Sequence, residues 1–171
     1  MPPALEGRAR RLGDDINTDY IISSTRKRET LDELVLKRYL LETVDPAFAA
    51  SVHEGDVLVA GRNFGCGSAM EVAATVILAA GIKAVLAATF SRTFYRNAIN
   101  NGLLPVECDT GAIVEGDRVR ITMDMGHVTV VNVTKGVTIA GTTTIPPIVL
   151  EILESGGLVP YIRANGGFRV A

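Results

Sequence analysis

The stretch GRNFGCGSAMEVAATVI, Gly61 to Ile77, places three glycines, a cysteine and a serine within eight residues and then continues as an almost wholly apolar run. Before it, DVLVA (Asp56 to Ala60) reads as a brief apolar strand. After it, IKAVLAATF (Ile82 to Phe90) is a nearly continuous apolar run of strand length. Residues 70–80 carry apolar or small side chains everywhere except Glu71 and Thr75, which predicts a helix covered on most sides, and Gly81 supplies its stop. An apolar strand without alternation suits burial on both faces, as in a parallel sheet. The whole is a βαβ unit with a glycine loop between its first strand and its helix.

Working outward, residues 8–12 and 17–22 read as short strands around the turn GDD (Gly13 to Asp15). SSTRKRET (Ser23 to Thr30) reads as a loop, and LDELVLKRYLLE (Leu31 to Glu42) as an amphipathic helix ended by Asp45-Pro46. On the other side, residues 91–100 predict a second helix and LLPVE from Leu103 another strand. From Glu115 onward, GDRVRITMD, HVTVVNVT and GVTIAGTT alternate β-branched residues between glycine turns, as in an antiparallel meander. Pro146 and Pro147 open a last helix stopped at Gly156-Gly157, followed by a short helical or irregular segment. The sequence predicts a single α/β domain over residues 1–171, with helices flanking its sheets and no interdomain linker.

The composition narrows the function. A compact chain of 171 residues buries roughly 70% of the surface its unfolded form exposes. With 47% hydrophobic and 21% charged residues it is neither disordered nor a tail. A net charge of -2, no tryptophan and few aromatics argue against nucleic-acid and membrane partners. Two cysteines, Cys66 and Cys108, and two histidines, His53 and His127, are too few and too scattered for a metal set, so no metal ligand is expected in this chain. With no secretory pattern and no apolar run near the ~20 residues of a membrane span, the expected location is the cytoplasm.

Three readings compete for the glycine loop. A nucleotide loop fails: there is no lysine for GxxxxGK[ST], and Met70 stands where GxGxxG needs its last glycine. A capping box, Ser68 with Glu71 three residues on, needs no function at all. The third reading is chemical. A serine reached by a loop of little bulk at a helix start sits where free N–H groups and the helix dipole favour negative charge. A substrate carboxylate or a serine alkoxide fits there, but the loop itself offers only Arg62 as a cation, which makes half a site.

Four stretches in order resemble one known family: GDDINTDYII (Gly13 to Ile22), EGDVLVAGRNFGCGSAMEVA (Glu54 to Ala73), FSRTFYRNAINNGLLPVE (Phe90 to Glu107) and GGLVPYI (Gly156 to Ile162). The family is that of the small subunits of isopropylmalate isomerase (3-isopropylmalate dehydratase) and homoaconitase, the separate swivel domain of the aconitase superfamily, and the resemblance runs from about Leu12 to Ile162. It implies one aconitase-type swivelling β/β/α domain with a mixed sheet and flanking helices. It also implies a large-subunit partner that carries a 4Fe-4S cluster, a small hydroxy di- or tricarboxylate substrate, and inactivity of this chain alone. The implied reaction is dehydration and rehydration of a substituted malate, as in leucine biosynthesis. Homoaconitate, citramalate or dimethylmalate are alternative substrates, and a non-catalytic anion-binding module is the alternative of another class.

The family's GxGSSRE motif places its base, the first serine, at Ser68, with Gly67, Ala69 and Met70 beside the substrate. Asp19, Glu71 and Arg92 fall in matching motifs as supporting residues. Two departures stand out. Ala69-Met70 replaces the usual Ser-Arg, removing a hydroxyl donor and a cation, so a bidentate grip on a carboxylate at that place is lost. The loop after GDDINTDYII, which in the family sets the accepted side chain, here reads Thr25-Arg26-Lys27-Arg28. Arg26, Lys27 and Arg28 are therefore candidate substrate ligands able to resupply the lost charge, set against the reading of a solvated basic loop.

Overall fold

The computed structural model describes residues 4–167, so the ends of the 1–171 span, residues 1–3 and 168–171, lie outside the described residues. Seven strands form one mixed sheet: β1 (Ala4–Arg11), β2 (Val57–Ala60), β3 (Ala84–Ala87), β4 (Leu104–Glu107), β5 (Arg118–Asp124), β6 (His127–Asn132) and β7 (Val137–Ile139), in the order β4-β3-β2-β1-β5-β6-β7. The first four run parallel, and β5 to β7 continue as the expected antiparallel meander. β1 joins the halves. Its residues Ala4 to Arg8 pair with β5, while Ala9 to Arg11 pair with β2, so the strand extends further back than the 8–12 expected from sequence.

The apolar runs behave as a doubly covered sheet requires. In β2, Leu58 and Ala60 enter one core while Val57 and Val59 enter the other, and in β3 Val85 and Ala87 part from Ala84 and Leu86 in the same way. The helix α5 (Val72–Ala79) covers the first face, with Ala73, Ala74, Val76 and Ile77 buried, and ends at Ala80 with Gly81 at φ +89° beyond it. The helices α6 (Arg92–Asn100), α7 (Pro147–Glu154) and α8 (Leu158–Asn165) complete the flanks, the last settling the C-terminal segment as helical.

The segment before β2 differs from expectation. Residues 17–22 are not a strand: α1 (Thr18–Ile21) forms there, because the Asn17 side chain caps it by accepting from the Asp19 N–H. The expected loop at 23–30 contains α2 (Ser24–Glu29), capped by the Ser23 hydroxyl on the Arg26 N–H. The single helix expected over 31–42 is broken into α3 (Glu33–Leu36) and a 3-10 turn (Lys37–Tyr39). Leu31 and Leu34 face solvent while Leu36, Leu40 and Leu41 are buried, so the apolar spacing did not mark one buried stripe. After Pro46 a further short helix, α4 (Phe48–Ser51), packs Phe48 beneath Arg10, whose guanidinium lies 4.5 Å from the ring centre.

Candidate functional site

The glycine loop leaves the carboxyl end of β2, the edge of a parallel sheet where ligands characteristically bind. It is held by its neighbours' side chains through positions that admit no Cβ. A Cβ on Gly61 would strike the Asp14 carboxylate, one on Gly65 the Phe94 ring, and one on Gly67 the Asn17 amide. Gly65 and Gly67 also take φ of +77° and +90°, which L side chains rarely adopt. Phe64 meets Phe94 edge-on at 5.0 Å and Phe90 at 5.9 Å, and the Ser91 N–H donates to the Phe64 carbonyl at 2.9 Å. The loop is thus tied to the start of α6.

The turn at Asp14-Asp15 does more than reverse the chain. Asp14 accepts from the Arg62 N–H at 2.8 Å and from its guanidinium at 3.2 Å, and Asp15 accepts from the Asn63 amide at 2.8 Å. The Arg62 backbone bond, followed by its side chain, holds the Asp14 carboxyl below the usual carboxylate range. Arg62, the one cation the loop offers, is therefore already engaged.

Ser68 is exposed, and its carbonyl accepts from the Thr18 hydroxyl at 2.9 Å. The capping box that the Ser68–Glu71 spacing offers as one reading does not form. The α5 helix begins at Val72 with Glu71 at its N-cap position, and no side chain caps it. Ala69 and Met70 therefore precede the helix instead of opening it. Among the described residues the Ser68 hydroxyl has no hydrogen-bond partner, and neither do the backbone N–H groups of Gly67, Ser68, Ala69 and Met70. The arrangement presents a fixed main chain with an uncommitted hydroxyl and several uncommitted donors, which suits an anion or a serine oxygen that must carry charge.

The basic segment divides into three fates. Arg26 is spent on protein contacts: it forks onto Glu42 at 2.9 and 3.1 Å, reaches Glu29 at 3.3 Å, and stacks 3.9 Å above the Tyr39 ring. The Lys27 ammonium lies against the sulfur of Met70, the position at which the resemblance expects arginine. Arg28 is exposed and makes no hydrogen bond or ion pair with another described residue's side chain. Asp19 accepts a 2.6 Å bond from the Ser24 hydroxyl at the start of the same helix. Arg92 opens α6 and, with Phe90, Tyr95, Arg96 and Glu107, lines a cavity of about 530 Å³ beside the loop. Ser91 occupies the N-cap position of α6 without a side-chain capping bond.

Sequence reasoning missed Asn17 and Thr18, which anchor the loop, and Glu42 and Tyr39, which anchor Arg26. The first two lay inside a segment read as a strand; the last two lay in a segment read as a plain amphipathic helix. Cys66 is half-buried in the loop, while Cys108 is buried at the end of β4, where burial and then Asp109 push its thiol up to about 12. Among the described residues no group of three or more His, Cys, Asp or Glu is placed to hold a metal, and the donor set does not fit an iron-sulfur cluster. No described helix is long and apolar enough to cross a membrane.

A mixed α/β sheet that presents an exposed serine and open backbone donors from a glycine loop at the carboxyl end of its parallel strands defines the class of domain. The chain belongs to the aconitase C-terminal domain family, whose model matches residues 13–111. It is 45% identical to the 3-isopropylmalate dehydratase small subunit of Moorella thermoacetica, over 92% of this chain and 94% of that one. It is 43% identical to the methanogen homoaconitase small subunit of Methanocaldococcus jannaschii, over 93% and 91%. A crystal structure titled 3-isopropylmalate dehydratase from the same organism superposes with a TM-score of 0.89 at 44% identity, covering 95% of each chain.

Proposed function

We propose that this chain is the small subunit of a hydro-lyase of the 3-isopropylmalate dehydratase type, and that Ser68 is its base. As an alkoxide, the Ser68 oxygen takes the carbon-bound proton of a hydroxy dicarboxylate. The electron pair left behind forms the carbon-carbon double bond while hydroxide departs, and re-addition of water with hydroxyl and hydrogen exchanged completes the isomerisation. The observation that carries the reading is the uncommitted Ser68 hydroxyl on a main chain pinned by Thr18. The N–H groups of Gly67, Ala69 and Met70 stabilise the substrate carboxylate and the developing charge. Lys27 supplies the cation that Met70 cannot, and Asp19 and Glu71 border the site without touching the reacting atoms.

The large subunit belongs to the same proposal, supported by the relatives' naming as small subunits. So does its 4Fe-4S cluster, which the resemblance assigns to that subunit; no group of described residues in this chain fits one. The compartment on this reading is the cytoplasm. A second reading, homoaconitase, is favoured by one specific feature: besides Lys27, α2 carries an exposed Arg28 with no ion-pair partner among the described residues, which suits a substrate with an additional carboxylate, and the homoaconitase relative is nearly as similar as the isopropylmalate one. The test is a panel of 3-isopropylmalate, homoaconitate, citramalate and dimethylmalate on the reconstituted two-subunit complex. Turnover of 3-isopropylmalate with the highest kcat/KM is the expected outcome. Absence of turnover of every member by an assembled complex would instead favour a non-catalytic anion-binding module.

A further inference from the structure

Helix α2 has six residues and buries none of them. Isolated helices of that length do not persist in water, and most helical stability in proteins comes from a packed apolar face. What holds α2 is a small set of polar ties. Its first residue, Ser24, donates to Asp19 on α1, and its third, Arg26, forks onto Glu42 while lying over Tyr39. Glu42 in turn follows Leu41, a fully buried residue at φ +57° whose N–H is bonded to the Ile21 carbonyl at the end of α1. A leucine in that conformation persists only where its surroundings enforce it. Here the enforced turn directs the Glu42 carboxylate at Arg26.

From this geometry we infer that Arg26, Glu42 and Tyr39 are positioning residues that hold the Lys27 ammonium over Met70, at the mouth of the Ser68 loop, so that it meets a substrate carboxylate. The inference rests on the function proposed above and narrows it. Arg26, a candidate ligand by sequence, acts through its neighbour, because each of its three guanidinium nitrogens already donates to Glu42 or Glu29. Lys27 has no carboxylate partner among the described residues and is half-buried, which leaves its charge available to an incoming anion. A bidentate, ring-stacked guanidinium is not replaced by an ammonium, so Arg26→Lys loses the fork.

The test is a double-mutant cycle on the reconstituted complex with its preferred dicarboxylate. Lys27→Met is expected to raise KM about tenfold, the loss of one charge-assisted contact. Glu42→Gln, Tyr39→Leu and Arg26→Lys should each raise KM severalfold while leaving kcat within about twofold. In a Lys27→Met background Glu42→Gln should then add less than about twofold, since neighbours acting through one group are non-additive. Glu29→Gln, which removes only the outer partner of Arg26, should leave KM as it is. An unchanged KM in Glu42→Gln or in Lys27→Met, or full multiplication of the two effects, overturns the inference. Failure of the Ser68 assignment shows separately, as an undiminished kcat in Ser68→Ala.

Discussion

Gly67→Ala measures how much of the loop's shape is bound up with its function. At φ +90° an L residue carries a backbone penalty of about 1–2 kcal/mol. Its Cβ would also overlap the Asn17 amide, the group that caps α1 through the Asp19 N–H, and losing such a cap costs about 1 kcal/mol more. Gly55→Ala is the control: Gly55 has nearly the same φ, +89°, yet no atom lies within 4 Å of the position its Cβ would take, and it precedes β2 at the end remote from the loop. The two variants share the backbone penalty and differ by the displaced cap. Thermal unfolding should therefore place Gly67→Ala below Gly55→Ala by about 3 °C, the shift expected for ~1 kcal/mol in a chain of this size. Activity of the reconstituted complex should fall in Gly67→Ala and persist in Gly55→Ala. Equal melting temperatures, or full activity in Gly67→Ala, would refute the claim that Asn17 and Gly67 fix the serine together.

Two further outcomes follow from buried groups. Iodoacetamide near pH 8 should label Cys66 and leave Cys108 of the folded chain unmodified, since the Cys108 thiol, pushed up to about 12, is neither ionised nor accessible; mass spectrometry of the digested protein distinguishes the two, and rapid labelling of Cys108 would contradict its placement. Asp117 is buried and accepts from the Val114 N–H, the Asn132 amide and Lys135, which hold its carboxyl below the usual range against the opposing effect of burial. A depressed carboxylate contributes stability that is present above its unfolded pKa, about 3.9, and fades as pH falls through its folded value. The melting-temperature gap between wild type and Asp117→Asn should accordingly be open at pH 7 and narrow below about pH 4; a gap that widens in acid would reverse the sign.

The parts of the fold legible in the sequence were those with a single dominant signal. The runs at 56–60 and 82–90 read as doubly buried strands, which form at Val57–Ala60 and Ala84–Ala87, and Gly81 closed the helix between them as a left-handed glycine should. Residues 17–30 hid their structure because it is made by side chains instead of apolar periodicity. Ile21 and Ile22 suggested a strand, while Asn17 and Ser23, two caps, decided for helices. The site was half legible. The glycines and Ser68 announced a loop open to an anion, and the Ser68–Glu71 spacing announced an equally ordinary cap that the chain does not make. That Arg26 would be engaged and Lys27 left available depends on Glu42, sixteen residues away along the chain and placed by the turn at Leu41. No local pattern carries that information.

The central claim is that Ser68 moves the proton. It is tested most directly by Ser68→Ala in the reconstituted complex, with kcat and the exchange of substrate hydrogen with deuterated solvent measured alongside subunit assembly. Removing a general base costs roughly 10²–10⁴ in rate, so turnover and exchange should both fall by that order. KM should stay within a fewfold and the complex should assemble as before, because among the described residues the Ser68 hydroxyl makes no bond that supports the fold. An assembled Ser68→Ala complex that turns over and exchanges at the wild-type rate would contradict the account.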